Sequence, residues 1–362
     1  MRDRLLNLLR CPSCRGAFEV KAFEQGVAHG QPDVIEGLLS CACGAAYPIV
    51  RSIPRVLDDA PTLFPAFYTR HPPQVAERRG GPGRRETDAL TAHERREVDR
   101  TRESFGYQWT HFSEMATDFR QNFLDYIHPI DESFFPGKLG IDVGCGFGRH
   151  IYNAALFGAE MVGMDISDAI ESTRTNTMHM PNVHLVQADI YNPPFAEGTF
   201  DFAYSIGVLH HLPDPEAAFR RVTTLARPGG SVFIWVYSKK RAVTNLFLGC
   251  ARAVTTRMPA GVQNTVSLVA AGVDWAGFIL PFRVLSTVRP LAPVLNALPR
   301  LKTYSKYPFQ VVWADWFDRL AAPIRFYYDG RDLDGWLTRA GLIRKTISPT
   351  GLYGWRAKGE RS

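Results

Sequence analysis

A chain of 362 residues, 45% hydrophobic and 22% charged, can bury a full core, which excludes a disordered or fibrous protein. Its formal charge of +6 is local: Lys/Arg against Asp/Glu number 17 and 17 in residues 1–130, 8 and 12 in 131–240, and 17 and 7 in 241–362. The basic final third predicts an anionic partner there, either an acidic substrate or a membrane surface, against the plainer alternative of a solvated basic face.

The opening MRDRLLNLLRCPSC holds an apolar run too short for a secretory segment, so a cytoplasmic protein is expected. Residues 1–57 then carry Cys11-Pro-Ser-Cys14 and Cys41-Ala-Cys43-Gly. In a reducing compartment such pairs act as metal ligands rather than disulfides, because two thiolates on a tight turn can face one tetrahedral Zn²⁺. A domain this small, with few large apolar groups, needs that staple. Four unrelated reduced cysteines are the alternative. With Tyr47-Pro48-Ile49 and Ile53-Pro54, the pairs resemble the small zinc-ribbon proteins that activate tRNA and translation-factor methyltransferases, and related ribbons fused to bacterial methyltransferases. The second pair departs in being C-x-C, and Ser52 stands where a glycine often precedes Ile-Pro.

Residues 58–103 turn Pro-rich and then densely charged, which predicts a linker, mobile near Gly80 to Gly83, passing into a charged helix. Its Arg pairs could touch RNA, but interleaved acids favour a solvated helix. From residue 104 to 240, LGIDVG, EMVGMDIS, VHLVQAD, FDFAYSIG and SVFIWVY are short apolar runs separated by helix-length stretches. That rhythm predicts an α/β, doubly wound parallel sheet. Residues 241–325 interrupt it, and 326–362 return to a helix and two closing strands.

At Asp142-Val-Gly144-Cys-Gly146-Phe-Gly148 a strand enters a turn that needs three glycines before a helix. Arg149 stands where a dinucleotide fingerprint wants its last glycine, and no Gly-Lys-Ser/Thr follows for a P-loop. The form D-x-G-x-G-x-G resembles motif I of class I S-adenosylmethionine (SAM)-dependent methyltransferases, whose cofactor has no phosphate to cradle. This likeness runs through FDFAYSIGVLHHLPDPEAAFRR and ARPGGSVFIWVY and resumes at 326–362. It implies the family's seven-stranded Rossmann-like sheet, here with the zinc ribbon before it and a helical insertion after strand five.

The likeness also implies SAM as cofactor, with Asp165 on the ribose diol and Asp189 on the adenine amino group. Ile166 and Ile190 would line the adenine faces, and Asp142, Gly144, Gly146, Gly148 and Ser205 complete the expected binding set. Each acid alone could instead cap a helix. Phe105, Tyr107 and Trp109 would lid the cofactor or pack on the sheet.

Methyl transfer asks mainly for positioning, plus a base where the nucleophile is a hydroxyl. His210 and His211, just after the fourth strand, are the candidate bases, against a purely structural role for each. Asn192-Pro-Pro-Phe195 has the composition of a nitrogen clamp but precedes the fourth strand, so it is read as a turn with Phe195 packing inward.

Residues 246–300 hold Arg252, Arg257, Arg283, Arg289 and Arg300 with the single acid Asp274. Asp274, Gln263 and Asn264 argue against a membrane span and for amphipathic helices, as a substrate lid or on an anionic bilayer. The expected enzyme methylates a small or lipid-like acceptor, at oxygen or else carbon, with peripheral membrane contact through 241–325. A tRNA or protein methyltransferase docking through its ribbon is the alternative, although nucleic acid is the less favoured partner. A non-catalytic SAM-binding subunit is the third reading, and no protein partner is legible.

Overall fold

The computed structural model describes residues 1–72, 92–288, 290, 291, 294, 295 and 297–362. The expected mobile stretch at Gly80 to Gly83 and the position of Arg289 lie outside them.

The five apolar runs form β5 (Leu139–Val143), β6 (Glu160–Asp165), β7 (Val183–Ala188), β8 (Phe200–Ile206) and β9 (Ala226–Tyr237). They are apolar on both faces because helices cover both sides of a parallel sheet. The closing strands are β10 (Leu342–Thr350) and β11 (Gly354–Arg361). Across the core the order is β7-β6-β5-β8-β9-β11-β10, and only β11 runs against the rest. The strand order reverses between β5 and β8, so the crevice for a ligand opens at their C-terminal ends.

Packing at the centre is tight. Gly140 of β5 stands opposite Phe202 of β8, and a Cβ there would lie 2.1 Å from the Phe202 ring. Gly140→Ala is therefore expected to cost about 1–3 kcal/mol through overpacking. The melting temperature should fall by several degrees; an unchanged melting curve would contradict this packing.

The N-terminal segment does not hang as a separate module. Its strands β1 (Phe18–Ala28), β2 (Gln31–Cys41), β3 (Ala46–Val50) and β4 (Ile53–Val56) extend the core into one eleven-stranded sheet. The seam is the parallel pair β4–β7, with Arg55 opposite Gln187 and Val56 opposite Ala188. Arg55 is fully buried there, which a charge tolerates only when paired. It forms an ion pair with Glu171, donates 2.9 Å to Gln187 Oε1, and stacks over Phe64.

Where a linker was expected after residue 57, two short helices, Ala60–Leu63 and Pro65–Arg70, fold back on the ribbon, and Phe67 is buried beside Phe23 and Leu38. The charged helix is Ala92–His111. Its later turns bring Phe105 and Trp109 over the crevice.

The insertion is helical, as expected: Ala242–Thr255, Ala260–Asp274, Leu280–Leu285, Pro299–Tyr304 and Phe309–Ala321. Ala260 to Leu285 is one continuous 26-residue helix with a π-turn at Trp275–Ile279. Among the described residues it is the one helix long and apolar enough to cross a membrane. The sequence argument against a span used Gln263, Asn264 and Asp274 as interruptions, and two of these three do not interrupt the outward face. Both are buried, Gln263 donating to Thr255 and Met258 carbonyls and Asp274 accepting 2.9 Å from Trp316 Nε1 while pairing with Arg300. The outward face is left without them.

Candidate active site

One cavity of about 470 Å³ lies between the glycine turn, the Ala92–His111 helix and the insertion. Its floor is the turn after β5, where Gly144 and Gly146 adopt φ of +83° and +56°. A Cβ on Gly144 would also lie 2.4 Å from Val208, so only glycine fits. Facing Gly146, the Trp109 indole stacks 4.9 Å from the Phe147 ring. Arg149 lies over both rings.

Asp165, at the end of β6, fastens this turn. Its Oδ2 accepts from the Gly146 N–H at 2.9 Å, and its Oδ1 from the Ser167 N–H and hydroxyl at 2.8 and 2.7 Å. Burial raises its pKa overall, against the pull of those donors. A carboxylate offers about four acceptor positions, so part of its capacity remains for a hydroxyl in the cavity. Ile166, Asp189 and Ile190 line the same end, and Asp189 Oδ1 accepts 3.0 Å from the Tyr191 N–H.

Several expected ligands stand behind the cavity wall rather than on it. Asp142 is buried beneath the turn beside Tyr204, and burial pushes its carboxyl up to about 8, so it is mostly neutral at pH 7. Ser205 is fully buried and donates 2.8 Å to the Val143 carbonyl, tying β8 to β5. Gly148 shapes the turn without lining the cavity, where a Cβ would lie 3.0 Å from Thr173.

The two histidines separate. His210 is fully buried, lies tilted against Tyr237 with ring centroids 4.0 Å apart, and has both ring nitrogens unpartnered outside the cavity lining. His211 lines the cavity, with Phe105 packed against its ring at 4.8 Å. Its Nδ1–H donates 2.7 Å to the Ile324 carbonyl, which assigns the lone pair to Nε2. Nε2 has no hydrogen-bond partner and sits 3.8 Å from Asp318 Oδ1. Burial drives the His211 pKa down to about 4, although Asp318 opposes it.

Asp318 and its surroundings were not singled out from the sequence. Burial alone would raise its carboxyl, but Arg325, His211 and the Tyr237 hydroxyl hold it below the ordinary range. Tyr237 donates to it at 2.7 Å and Arg325 forms the ion pair. Arg241, Arg319, Tyr304 and Tyr353 close this end, with Arg241 stacked 4.8 Å over the Tyr353 ring. The one sequence signal was Asp315 and Asp318, two acids three apart on the mostly apolar helix Phe309–Ala321.

Asn192 to Phe195 do not line the cavity. They receive the ribbon instead: the Arg10 N–H donates 2.8 Å to the Pro194 carbonyl, and Arg15 reaches the Pro193 carbonyl and Asn192 Oδ1 at 2.9 and 3.1 Å. Phe195 packs inward, as read from the sequence.

Cys11, Cys14, Cys41 and Cys43 come together with all four Sγ atoms within 4.8 Å of one another. Cys11–Cys43 and Cys14–Cys41 are 3.7 and 3.3 Å apart. Tetrahedral Zn–S bonds of about 2.3 Å imply sulfur separations of roughly 3.8 Å, so the set fits a zinc ion.

Sheet order, glycine turn and strand-end acids together match the arrangement that the resemblance to class I SAM-dependent methyltransferases implied. Residues 141–234 match the family described as methyltransferase domain, and residues 2–52 match the family described as Trm112p-like protein. A ubiquinone biosynthesis O-methyltransferase of Methylococcus capsulatus is 27% identical over 136 residues, 37% of this chain and 57% of that protein. A phosphoethanolamine N-methyltransferase 2 of Caenorhabditis elegans is 30% identical over 110 residues, 29% of this chain and 25% of that one. The chain thus spans only part of the length of such relatives, 57–60% for the first several. Among solved structures, a Burkholderia thailandensis 1,6-didemethyltoxoflavin-N1-methyltransferase overlays with a TM-score of 0.44 at 14% identity, covering 76% of this chain and 93% of its own.

Asp165→Ala should lower SAM affinity by at least about a hundredfold in calorimetric titration, since its hydrogen bond to the ligand and the set of the turn that it fastens would be lost together. Unchanged titration would refute the site.

Proposed function

We propose that the chain is an enzyme that moves a methyl group from SAM to a hydroxyl oxygen of a small, largely apolar acceptor. The carrying observation is His211: a neutral imidazole on a residue that lines the cavity, its buried Nε2 unpartnered beside Asp318. When bound, SAM supplies a methyl on a sulfonium whose departure is already favourable.

The chain's own residues do the rest. Asp165 and Asp189 take the ribose and adenine polar groups, and Ile166 and Ile190 the flat faces of the base. Phe105 and Trp109 cover that end and exclude water. At the other end the acceptor hydroxyl donates to His211 Nε2. As the oxygen–carbon bond forms and the sulfur–carbon bond breaks, the proton passes to Nε2, and the Asp318 carboxylate steadies the imidazolium. Arg241 and Arg319 suit an acceptor that also carries an acidic group. The insertion, which supplies Thr303, Tyr304, Tyr307 and Val311 to the cavity wall, acts as the substrate lid. The four cysteines hold a structural Zn²⁺.

The Trm112p-like domain favours a second reading, methylation of tRNA or protein. Incubation of the full chain with methyl-labelled SAM and fractionated cell extract separates the two. Label in the lipid and small-molecule pool is expected, and label in RNA or protein would overturn the proposal. SAM binding without any transfer would favour the non-catalytic subunit.

A further inference from the structure

We propose that the insertion rests on an anionic membrane surface, with the outer faces of Ala242–Thr255 and Ala260–Leu285 set into the boundary between headgroups and acyl chains. The inference does not depend on which acceptor is methylated.

The first observation is the apolar outer face of the long helix. Val262, Val269, Val273, Leu280 and Val284 recur along it at alternating seven- and four-residue steps, and all five are exposed, Val269 and Val273 at 62% and 63%. Gln263, Ser267, Ala271, Asp274, Ile279 and Phe282 are buried against the rest of the protein. A helix on a water-facing surface carries polar residues on its outer face instead. The preceding helix repeats the pattern, with Val243 and Phe247 exposed at 84% and 69%. Contiguous exposed apolar surface on this scale marks an interaction face.

Charge selects the occupant. Residues 241–313 contain eight Lys or Arg and one acid. That acid, Asp274, is buried in its pair with Arg300, while Arg257, Lys302 and Lys306 are exposed. The surface is therefore apolar with a basic border and no exposed acid among the described residues. An anionic bilayer complements both features. A second copy of the chain would bring the same positive charge against itself.

The geometry also says lying rather than crossing. The 26-residue helix is about 39 Å long, enough to span the hydrocarbon. Its inner face, however, is held to Phe309–Ala321 by Trp316–Asp274 and Trp313–Asn264 hydrogen bonds. Crossing would carry this polar seam and a second helix into lipid. The first of these helices, Ala242–Thr255, walls the cavity through Asn245 and Leu248, so the cavity lies next to the membrane-facing surface.

The test is co-sedimentation of the full chain with phosphatidylcholine vesicles and with vesicles one part in three phosphatidylglycerol. Binding to the anionic vesicles is expected, weakened several-fold by high salt. The doubly substituted V269D/V273D variant changes only exposed positions and should bind at least about tenfold less, with SAM titration unchanged as proof of folding. Lys302→Glu with Lys306→Glu should abolish the preference for anionic lipid. The proposal is overturned if the wild-type chain stays in the supernatant with anionic vesicles. It is equally overturned if vesicles fail and the aspartate variant instead converts a wild-type dimer to monomer, which would mean that a second copy covers the face.

Discussion

Cys11→Ser is expected to leave the chain without zinc and largely insoluble. Cys11 is fully buried in the four-sulfur cluster, and folding of a ribbon this small draws much of its free energy from the metal, on the order of 10 kcal/mol in isolated zinc modules. Here the loss does not stay local. Leu9 pairs with Phe195, Arg10 binds the Pro194 carbonyl, and β4 completes the edge of β7. Unfolding the ribbon exposes that edge and frees the connection that follows Asp189 and Ile190. Elemental analysis of the purified wild-type chain should give about one zinc per molecule, and the variant less than a tenth of that. A metal-free but soluble wild-type chain, or a soluble variant that still binds SAM normally, would contradict the account.

His211→Asn should lower kcat by about 10²–10⁴ while leaving SAM affinity unchanged, the range for loss of a positioned base. Asparagine can still donate to the Ile324 carbonyl, so the loop should survive and the loss should be chemical. The pH dependence carries the sign. With its pKa near 4, His211 is already neutral at pH 7, so wild-type kcat should be flat from pH 8 to about 5 and fall only as pH approaches 4. The variant should lose that acid limb. Folding shows the same depression in another window. Between the ordinary histidine value of about 6.5 and 4, the unfolded chain binds a proton that the folded chain refuses. The contribution of His211 to stability is thus full above pH 6.5 and lost as pH falls toward 4, at up to about 1.4 kcal/mol per pH unit. His150 and His210, also held well below the usual value by burial, act in the same direction. A kcat profile that breaks near pH 6.5 to 7 would contradict the assignment of His211.

The parts legible in the sequence are those set by local pattern. Five both-face-buried strands show as apolar runs, and the glycine turn shows because positive φ and the approach of Val208 admit no side chain. Asn192 to Phe195 could be placed as a turn by counting strands. What stayed hidden depends on contacts between distant segments. His210 and His211 are chemically equivalent in the sequence, and only the fold turns one ring to the cavity and seals the other under Tyr237. Asp318 reaches His211 because the insertion folds back across β9, which no periodicity announces. Asp142 and Ser205 occupy the expected strand ends, but a strand end has two faces, and theirs point into the core. Gln263 and Asp274 read as interruptions of an apolar stretch, while the Thr255 and Met258 carbonyls before the helix and Trp316 after it turn them inward.

The central claim, methyl transfer to oxygen within this cavity, is tested most directly by nuclear magnetic resonance of the product formed from methyl-isotope-labelled SAM and the active small-molecule fraction. The account predicts that the labelled methyl appears as a methoxy signal in an extractable product with the wild-type chain and is missing with Asp165→Ala. A labelled methyl on nitrogen, on RNA or on protein, or equal turnover by both chains, would contradict it.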